Sequence, residues 1–96
     1  MKADEFLRRG AEVWREHEKN YGPSYNQVGC IMERVFPDGV NLSTRDDFRR
    51  FGIMVQIVTK LARYTNTWSK PHADSIFDIG VYSMILAEID DEICDP

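Results

Sequence analysis

The feature that most constrains the fold is a long apolar stripe in the middle of the chain, where hydrophobic residues recur at spacings of three and four. The stripe continues without a helix breaker for roughly five turns, the pattern of an amphipathic α-helix. Several of its residues are β-branched and would suit a strand, but the period and the length favour a helix that ends near Thr65. The residues that keep the period are Phe48, Phe51, Met54, Val55, Val58, Leu61 and Ala62.

Two overlapping capping signals precede this stripe. Ser43 is followed three residues later by Asp46, and Thr44 by Asp47. In either pair the hydroxyl can accept from a backbone N–H of the first turn, while the carboxylate reaches back to the cap amide. The helix is therefore predicted to begin at this segment.

The same period predicts three further helices, separated by glycine and proline. They run from Ala3 to about Asn20, from Tyr25 to Phe36 with Ser24 as N-cap, and from near His72 to Asp74 as far as Ile93. The separating segments are Gly22-Pro23, Pro37-Asp38-Gly39 and the polar connection that ends in Pro71. We predict one all-α domain over residues 1–96, a four-helix bundle-like fold with a short second helix and an antiparallel final helix pair.

The last helix is apolar on more than one side, which predicts central or interfacial burial. Gly80 interrupts it and weakens it by roughly 1 kcal/mol relative to alanine, so we expect close approach by another helix there. Acidic residues crowd its carboxyl end, where the helix dipole favours cations. Either fraying or a basic partner is expected at residues 88–95.

Charge and composition exclude several classes of protein. Sixteen acids against twelve bases give a net charge of −4, so generic nucleic-acid binding is disfavoured. Two distant cysteines indicate neither a zinc site nor a disulfide framework, and charges interrupt every long apolar window. We expect a soluble cytoplasmic protein that does not enter a membrane. A chain this short would bury about 60–65% of its unfolded surface, which favours a homo-oligomer.

Two charged pairs interrupt the most apolar part of the sequence. Lys60 and Arg63, three apart, share one face of the third helix, and Asp74 and Asp78, four apart, share one face of the fourth. An antiparallel helix pair would let them meet. The four side chains then form either a structural salt-bridge network or a polar pocket, in which the bases bind phosphate while the aspartates orient them or hold Mg²⁺.

A second polar group lies near the end of the first helix. Tyr21 and Asn26 flank Gly22-Pro23, and the tyrosine ring either seals the edge of the core or contacts a nucleobase. Trp68, in the polar connection, is another candidate contact residue. The sequence contains no catalytic nucleophile arrangement, phosphate-binding glycine loop or metal-ligand motif, so no catalytic or metal residues are predicted.

The order Tyr21-Gly22, Asn26, Lys60-Leu61-Ala62-Arg63, Asp74-Ser75, Asp78-Ile79-Gly80 and Tyr82 resembles a family of small uncharacterised domains of bacteriophages and prophages. It also looks like the nucleotide-modification-associated domains of phage genomes. The resemblance spans roughly residues 18 to 90, and its best motif pairs K-L-A-R with D-S-x-x-D-I-x-x-Y. It implies a phage protein that works in a bacterial host cell and adds Tyr82 to the candidate ligand-binding residues.

The helical layout is more remotely similar to the MazG-like nucleotide pyrophosphatases, which hold Mg²⁺ with an ExxE pair and an ExxD pair on successive helices. Asp78 matches the final aspartate, but Ser75 stands where the glutamate of ExxD belongs, and no ExxE occurs. Glu88 and Asp91 spell ExxD, too close to the carboxyl terminus for a catalytic helix to follow. Fewer carboxylates mean weaker metal binding, which argues against hydrolysis.

Three functions follow as hypotheses. The first is a phage-encoded protein that binds a nucleotide or related phosphorylated metabolite, in phage nucleotide metabolism or counter-defence. The second is a degenerate Mg²⁺-dependent pyrophosphatase of the MazG-like type. The third is a factor that binds a host bacterial protein through its acidic end and its apolar helices.

Overall fold

The chain folds into α-helices joined by short connections. The computed structural model describes residues 1–21 and 24–94, and the side chains of residues 20, 21, 24 and 25 also lie outside the description. Within these limits there are four helices and no strand: α1 (Ala3–Tyr21), α2 (Ser24–Val35), α3 (Arg45–Asn66) and α4 (Ala73–Cys94). The predicted all-α, bundle-like fold with a short second helix is confirmed. The predicted break at Gly22-Pro23 and the cap at Ser24 lie outside the described part.

The centre of the fold is an antiparallel hairpin of α3 and α4. Its helices carry opposite charge, because α4 contains six acids and no base, whereas the bases of α3 outnumber its acids. Ion pairs join the start of α3 to the end of α4 and the end of α3 to the start of α4. They are Arg49–Glu92 at 3.3 Å, Arg50–Asp90 at 3.2 Å and Lys60–Asp78 at 3.3 Å. Of the two outcomes expected at the acidic end of α4, fraying or a basic partner, Arg49 and Arg50 supply a basic partner from within the chain.

The buried core is small and lies between these two helices. Among the described residues the buried side chains are Val58 and Ala62 of α3 and Ser75 and Ile89 of α4. Helix α2 also packs against α3. There the rings of Phe36 and Phe51 lie with their centroids 6.0 Å apart.

Helix α3 begins with the second of the two predicted capping pairs. The Thr44 hydroxyl accepts from the backbone N–H of Asp47 at 3.1 Å, and Asp47 accepts from the backbone N–H of Thr44 at 3.1 Å. The backbone N–H of Ser43 also donates to this carboxylate at 3.1 Å. Hydrogen bonds from the Ser43 and Thr44 backbones stabilise the ionised form and lower the pKa of Asp47 below its ordinary 3.8.

The connection before α3 contains the predicted turn at Pro37-Asp38-Gly39. Gly39 has a φ of +79°, a left-handed conformation that favours glycine, and its N–H donates to the carbonyl of Phe36 at 3.0 Å. The glycine in this turn is therefore required by backbone geometry.

Two expectations for α4, close approach at Gly80 and central burial, are not met within the described part of this chain, and interfacial burial stays a prediction. A Cβ at Gly80 would meet no atom within 4 Å, so no described helix of this chain approaches it closely. Helix α4 buries one side against α3 and leaves its opposite apolar side exposed, with Phe77 at 72% and Met84 at 68%. Helix α1 packs little against the other described helices, so none of them covers that side of α4.

No helix in the described ranges has both the length and the apolar character needed to cross a bilayer.

Candidate ligand-binding site

The four charged residues singled out in the sequence lie together where α3 ends and α4 begins. Lys60 and Arg63 occupy the last two turns of α3, and Asp74 and Asp78 the first two turns of α4. The antiparallel hairpin brings the two sets side by side. All four line one concave site of about 430 Å³ that opens to solvent.

Two of the four charged residues form an ion pair with each other. Lys60 Nζ lies 3.3 Å from Asp78 Oδ2, with the lysine side chain 19% exposed and the aspartate 42% exposed. Arg63 is half-buried in the same wall and Asp74 is exposed at the rim. The site therefore combines one direct cross-helix ion pair with two further charges that face the same space.

Thr67 and His72 lie in the connection between the two helices, and both line the cavity. Thr67 Oγ1 lies 3.0 Å from the carbonyl oxygen of Arg63 and 3.4 Å from that of Tyr64, and 2.8 Å from His72 Nε2. The hydroxyl has one proton and the carbonyls can only accept, so Thr67 donates to the nearer carbonyl, that of Arg63, when His72 Nε2–H donates to Thr67. In the neutral ring this leaves Nδ1 as the acceptor.

The helix ends contribute to the field in the cavity. The first turn of α4 has backbone N–H groups without intrahelical partners and carries positive partial charge, which attracts anions. The buried Ser75 lies in this turn and lines the cavity. The carbonyl end of α3 is offset by Arg63, which lies in its last turn. Asp74 in the first turn of α4 and Arg63 in the last turn of α3 thus complement the two helix dipoles. This structural role does not depend on a ligand.

With His72 neutral, the formal charge of the cavity is balanced, since Lys60 and Arg63 oppose Asp74 and Asp78. A balanced cavity attracts a simple anion only weakly from a distance. It offers instead cationic donors beside carboxylate acceptors, which suits a ligand that has both an anionic group and hydrogen-bond donors.

Two aromatic rings continue from His72, which lines the cavity, although neither ring is itself a lining residue. Tyr64 lies between His72 and Trp68, with ring centroids 5.8 Å from each, and its contact with Trp68 is edge-to-face. Trp68 is 71% exposed. An exposed indole beside a polar cavity presents a flat face on which a planar heterocycle can stack.

The other predicted ligand residues are placed differently. The Tyr21 side chain lies outside the described residues. Asn26 is exposed on α2, and Tyr82 is half-buried one turn beyond Asp78; neither is among the residues that line the cavity. Their ligand contacts stay predictions.

Sequence reasoning missed Thr67 and His72 as members of the site. Both belong to the connection, where no helical period places a side chain on a face. Their position in the chain could have identified them, because a residue just after one helix and a residue just before its antiparallel partner lie at the same end of the hairpin. Ser75 was noticed only as a departure from a metal motif.

The donor set does not fit a divalent cation in this arrangement. In the described ranges no three His, Cys, Asp or Glu side chains are grouped so that they could hold a metal ion. Asp78, the aspartate that matches the pyrophosphatase motif, is instead paired with Lys60. The Mg²⁺ suggested by that resemblance therefore has no ligand cage here.

A second concavity, of about 350 Å³, lies at the other end of the hairpin. It is mainly apolar, with the Arg50–Asp90 ion pair at its edge, and it is lined among others by Val35, Phe36, Phe51, Met54 and Leu86. Its polar lining residues are Asn41, Asp47, Arg50 and Asp90, which include one cation against two in the first cavity, so we place the candidate site at the first.

Comparison with known proteins adds no assignment: no family model matches the chain, and neither a curated protein nor a solved structure matches it.

Proposed function

We propose that this chain is a phage-encoded protein that binds a nucleotide or related phosphorylated metabolite, in phage nucleotide metabolism or counter-defence. It acts in the cytoplasm of the bacterial host and as a homo-oligomer. The observation that supports the ligand is the clustering of Lys60, Arg63, Asp74 and Asp78 around one open cavity at the start of α4.

The phosphate binds between the bases and the amino end of α4. Lys60 and Arg63 supply charge-assisted donors, and the backbone N–H groups of the first turn of α4 add fixed dipoles. Lys60 exchanges its contact with Asp78 for the phosphate. Asp78 and Asp74 then accept from donors of the ligand, which is why a nucleotide fits the balanced cavity better than inorganic phosphate does.

The base stacks on Trp68, since this ring is exposed. Trp68 contacts Tyr64, which in turn contacts His72 in the cavity wall. His72 Nδ1 provides one further acceptor. Tyr21, predicted to contact the base, is left as an additional candidate.

Titration calorimetry with nucleoside mono- and triphosphates and cyclic nucleotides tests this proposal, with inorganic phosphate alongside. We expect at least one nucleotide to bind and Lys60→Ala to weaken it by tenfold or more, because one charge-assisted hydrogen bond contributes about 1.5–3 kcal/mol. Lys70→Ala is the matched control, an exposed lysine outside the cavity, and should bind as the unaltered chain does.

Tryptophan fluorescence gives a second readout of the same event. In a Trp14→Phe background, Trp68 is the only remaining indole, and stacking should quench it in step with the calorimetric binding curve. No binding across the nucleotide panel, or binding unaffected by Lys60→Ala, would contradict the proposal.

The two rival hypotheses have distinct outcomes. Release of pyrophosphate with Mg²⁺, lost in Asp78→Ala, would favour the degenerate pyrophosphatase. Capture of a host protein through the acidic end would favour the interaction factor. Deleting residues 88–96 is a poor test of the latter because it removes the buried Ile89, so Glu88→Gln with Asp91→Asn is the cleaner variant.

A further inference from the structure

Helix α1 has an apolar side that stays largely exposed in the described part of the chain. Of residues 3–19 only His17 is half-buried, and the others are exposed. Leu7 is 75% exposed, Val13 62% and Phe6 59%. On the same side, a shallow concavity of about 300 Å³ is lined by Gly10, Val13, Trp14 and His17. A helix with so regular an apolar stripe is stable in water when another surface covers that stripe.

Helix α4 has a second uncovered apolar side, opposite to the one that packs on α3. At helical spacing this outer face contains no charge from residue 73 to residue 87. Phe77 and Met84 project from it, and Gly80 leaves open space between them. The members of the face are Ala73, Ile76, Phe77, Gly80, Val81, Met84 and Ala87.

The accessible area of the chain is too large for a compact monomer. It is 7558 Å² for 11.2 kDa, whereas the surface scaling of folded monomers gives about 5,700 Å². The excess is about 1,900 Å² per chain. If each of two chains buried half of its excess against the other, the interface would bury about 1,900 Å² in total, the size of a stable protein interface. The missing contact is therefore large enough to hold a dimer together.

We propose that a second copy of this chain covers both faces, with α1 of each protomer lying antiparallel along the outer face of α4 of the other. A twofold axis then forms the α1–α4 contact twice and leaves neither stripe exposed. Phe77 of one protomer enters the concavity beside Gly10 of the other. A direct α4–α4 contact would bury Phe77 and Met84 but leave α1 uncovered.

Charge sets the direction of the contact. Among the described residues Glu88 and Asp91 form no ion pair, and both lie at the carboxyl end of the outer face of α4. The antiparallel arrangement brings them to the amino end of the partner's α1, where Lys2 and Arg9 border the apolar stripe. A parallel arrangement would instead bring Glu16 and Glu18 to the same acids.

This interface specifies the homo-oligomer of the proposed function and rests on that part of it, but not on the ligand. Leu7→Glu and Met84→Lys test it by analytical ultracentrifugation. The unaltered chain should have twice the mass of one chain, and each variant alone should dissociate with a Kd at least tenfold higher. Mixed together, the variants should form a dimer again, because one of its two contacts is unaltered and the other pairs glutamate with lysine.

Several outcomes would overturn the interface. They are a monomeric unaltered chain, a Leu7→Glu chain that stays dimeric, or a mixture that stays monomeric. Phe77→Lys serves as a second variant if Met84→Lys loses its helical circular dichroism. Phe48→Glu, on an exposed site of α3 away from both faces, is the matched control and should remain dimeric. Nucleotide titration of the same variants separates a failed interface from a failed ligand site, because all of them leave Lys60 and Arg63 intact.

Discussion

Asp47 is the residue whose ionisation has the clearest structural consequence. Its carboxylate accepts the backbone N–H groups of Ser43 and Thr44, which would otherwise lack partners at the start of α3. These bonds lower its pKa in the folded chain below the ordinary 3.8. The hydrogen bonds of the Asp47 carboxylate therefore stabilise the folded chain fully above the unfolded-state pKa. Their contribution to the free energy of unfolding is lost as the pH falls through the lower, folded-state pKa.

We expect Asp47→Asn to be less stable than the unaltered chain near neutral pH and to approach it in acid. Urea unfolding followed by circular dichroism from about pH 6 to about pH 2 measures the difference. Asp46→Asn is the control in the same turn, since Asp46 pairs with Arg49 at 3.1 Å on the surface and caps nothing. A stability difference for Asp47→Asn that does not change with pH would contradict this role.

At the scale of single residues, the sequence predicts contacts that follow from regular spacing. Thr44 with Asp47 and Lys60 with Asp78 are of this kind, because capping and helical periods fix where side chains point. The contact of His72 with Thr67 spans a connection without a period, so it depends on how the connection folds. Sequence spacing alone could not supply it.

Helices α3 and α4 pair through charge and through a narrow apolar contact. The short connection from Asn66 to Ala73 sets the antiparallel direction, because it cannot span the length of a helix. The charge pattern agrees with it, since a parallel pair would move Arg49 and Arg50 away from the acidic end of α4. Each ion pair is partly exposed, and such pairs contribute about 0.2–1 kcal/mol. Most of the stability of the hairpin therefore comes from the buried side chains around Ala62 and Ile89.

For this reason the Lys60–Asp78 pair should couple weakly in a double-mutant cycle. We expect Lys60→Met, Asp78→Asn and the double variant to give a coupling energy below about 1 kcal/mol in urea unfolding. Arg50→Met with Asp90→Asn, a pair outside the ligand cavity, is the matched cycle. A coupling of 3 kcal/mol or more, roughly what a buried pair shows, would make Lys60 and Asp78 a structural lock and weaken the case for a ligand.

At the scale of helices, the existence and order of all four elements could be predicted, because each carries a period of three and four between breakers. The partners of their faces could not. Close approach by another helix was expected at Gly80, and central or interfacial burial was expected for α4. A period identifies an apolar face but not the surface that covers it, and in the proposed dimer that surface belongs to a second copy.

The whole molecule is extended for its length. Its radius of gyration is 16.7 Å, whereas a compact domain of this size would measure about 12.5 Å. Helix α1 accounts for much of the difference, since it packs little against the hairpin. The fraction of unfolded surface that the chain buries by itself is about half, less than the 60–65% expected from its length. In the proposed dimer, a second copy supplies the remaining burial.

Association of this kind makes thermal stability depend on concentration. If the folded dimer unfolds to two separate chains, mass action raises its Tm as the protein becomes more concentrated. From the entropy of unfolding of two such chains, a hundredfold increase should raise the Tm by roughly 7 °C. Differential scanning calorimetry over that range measures the shift.

Met84→Lys separates association from other effects of concentration. Its helices should remain, because Met84 is 68% exposed and contributes little to the core of one chain. Its Tm should be lower than that of the unaltered chain and independent of concentration, since the monomer unfolds without a change in the number of particles. If the Tm of the unaltered chain were equally independent of concentration, the stripes of α1 and α4 would have to be stable in water uncovered, which their exposed Leu7 and Phe77 make unfavourable.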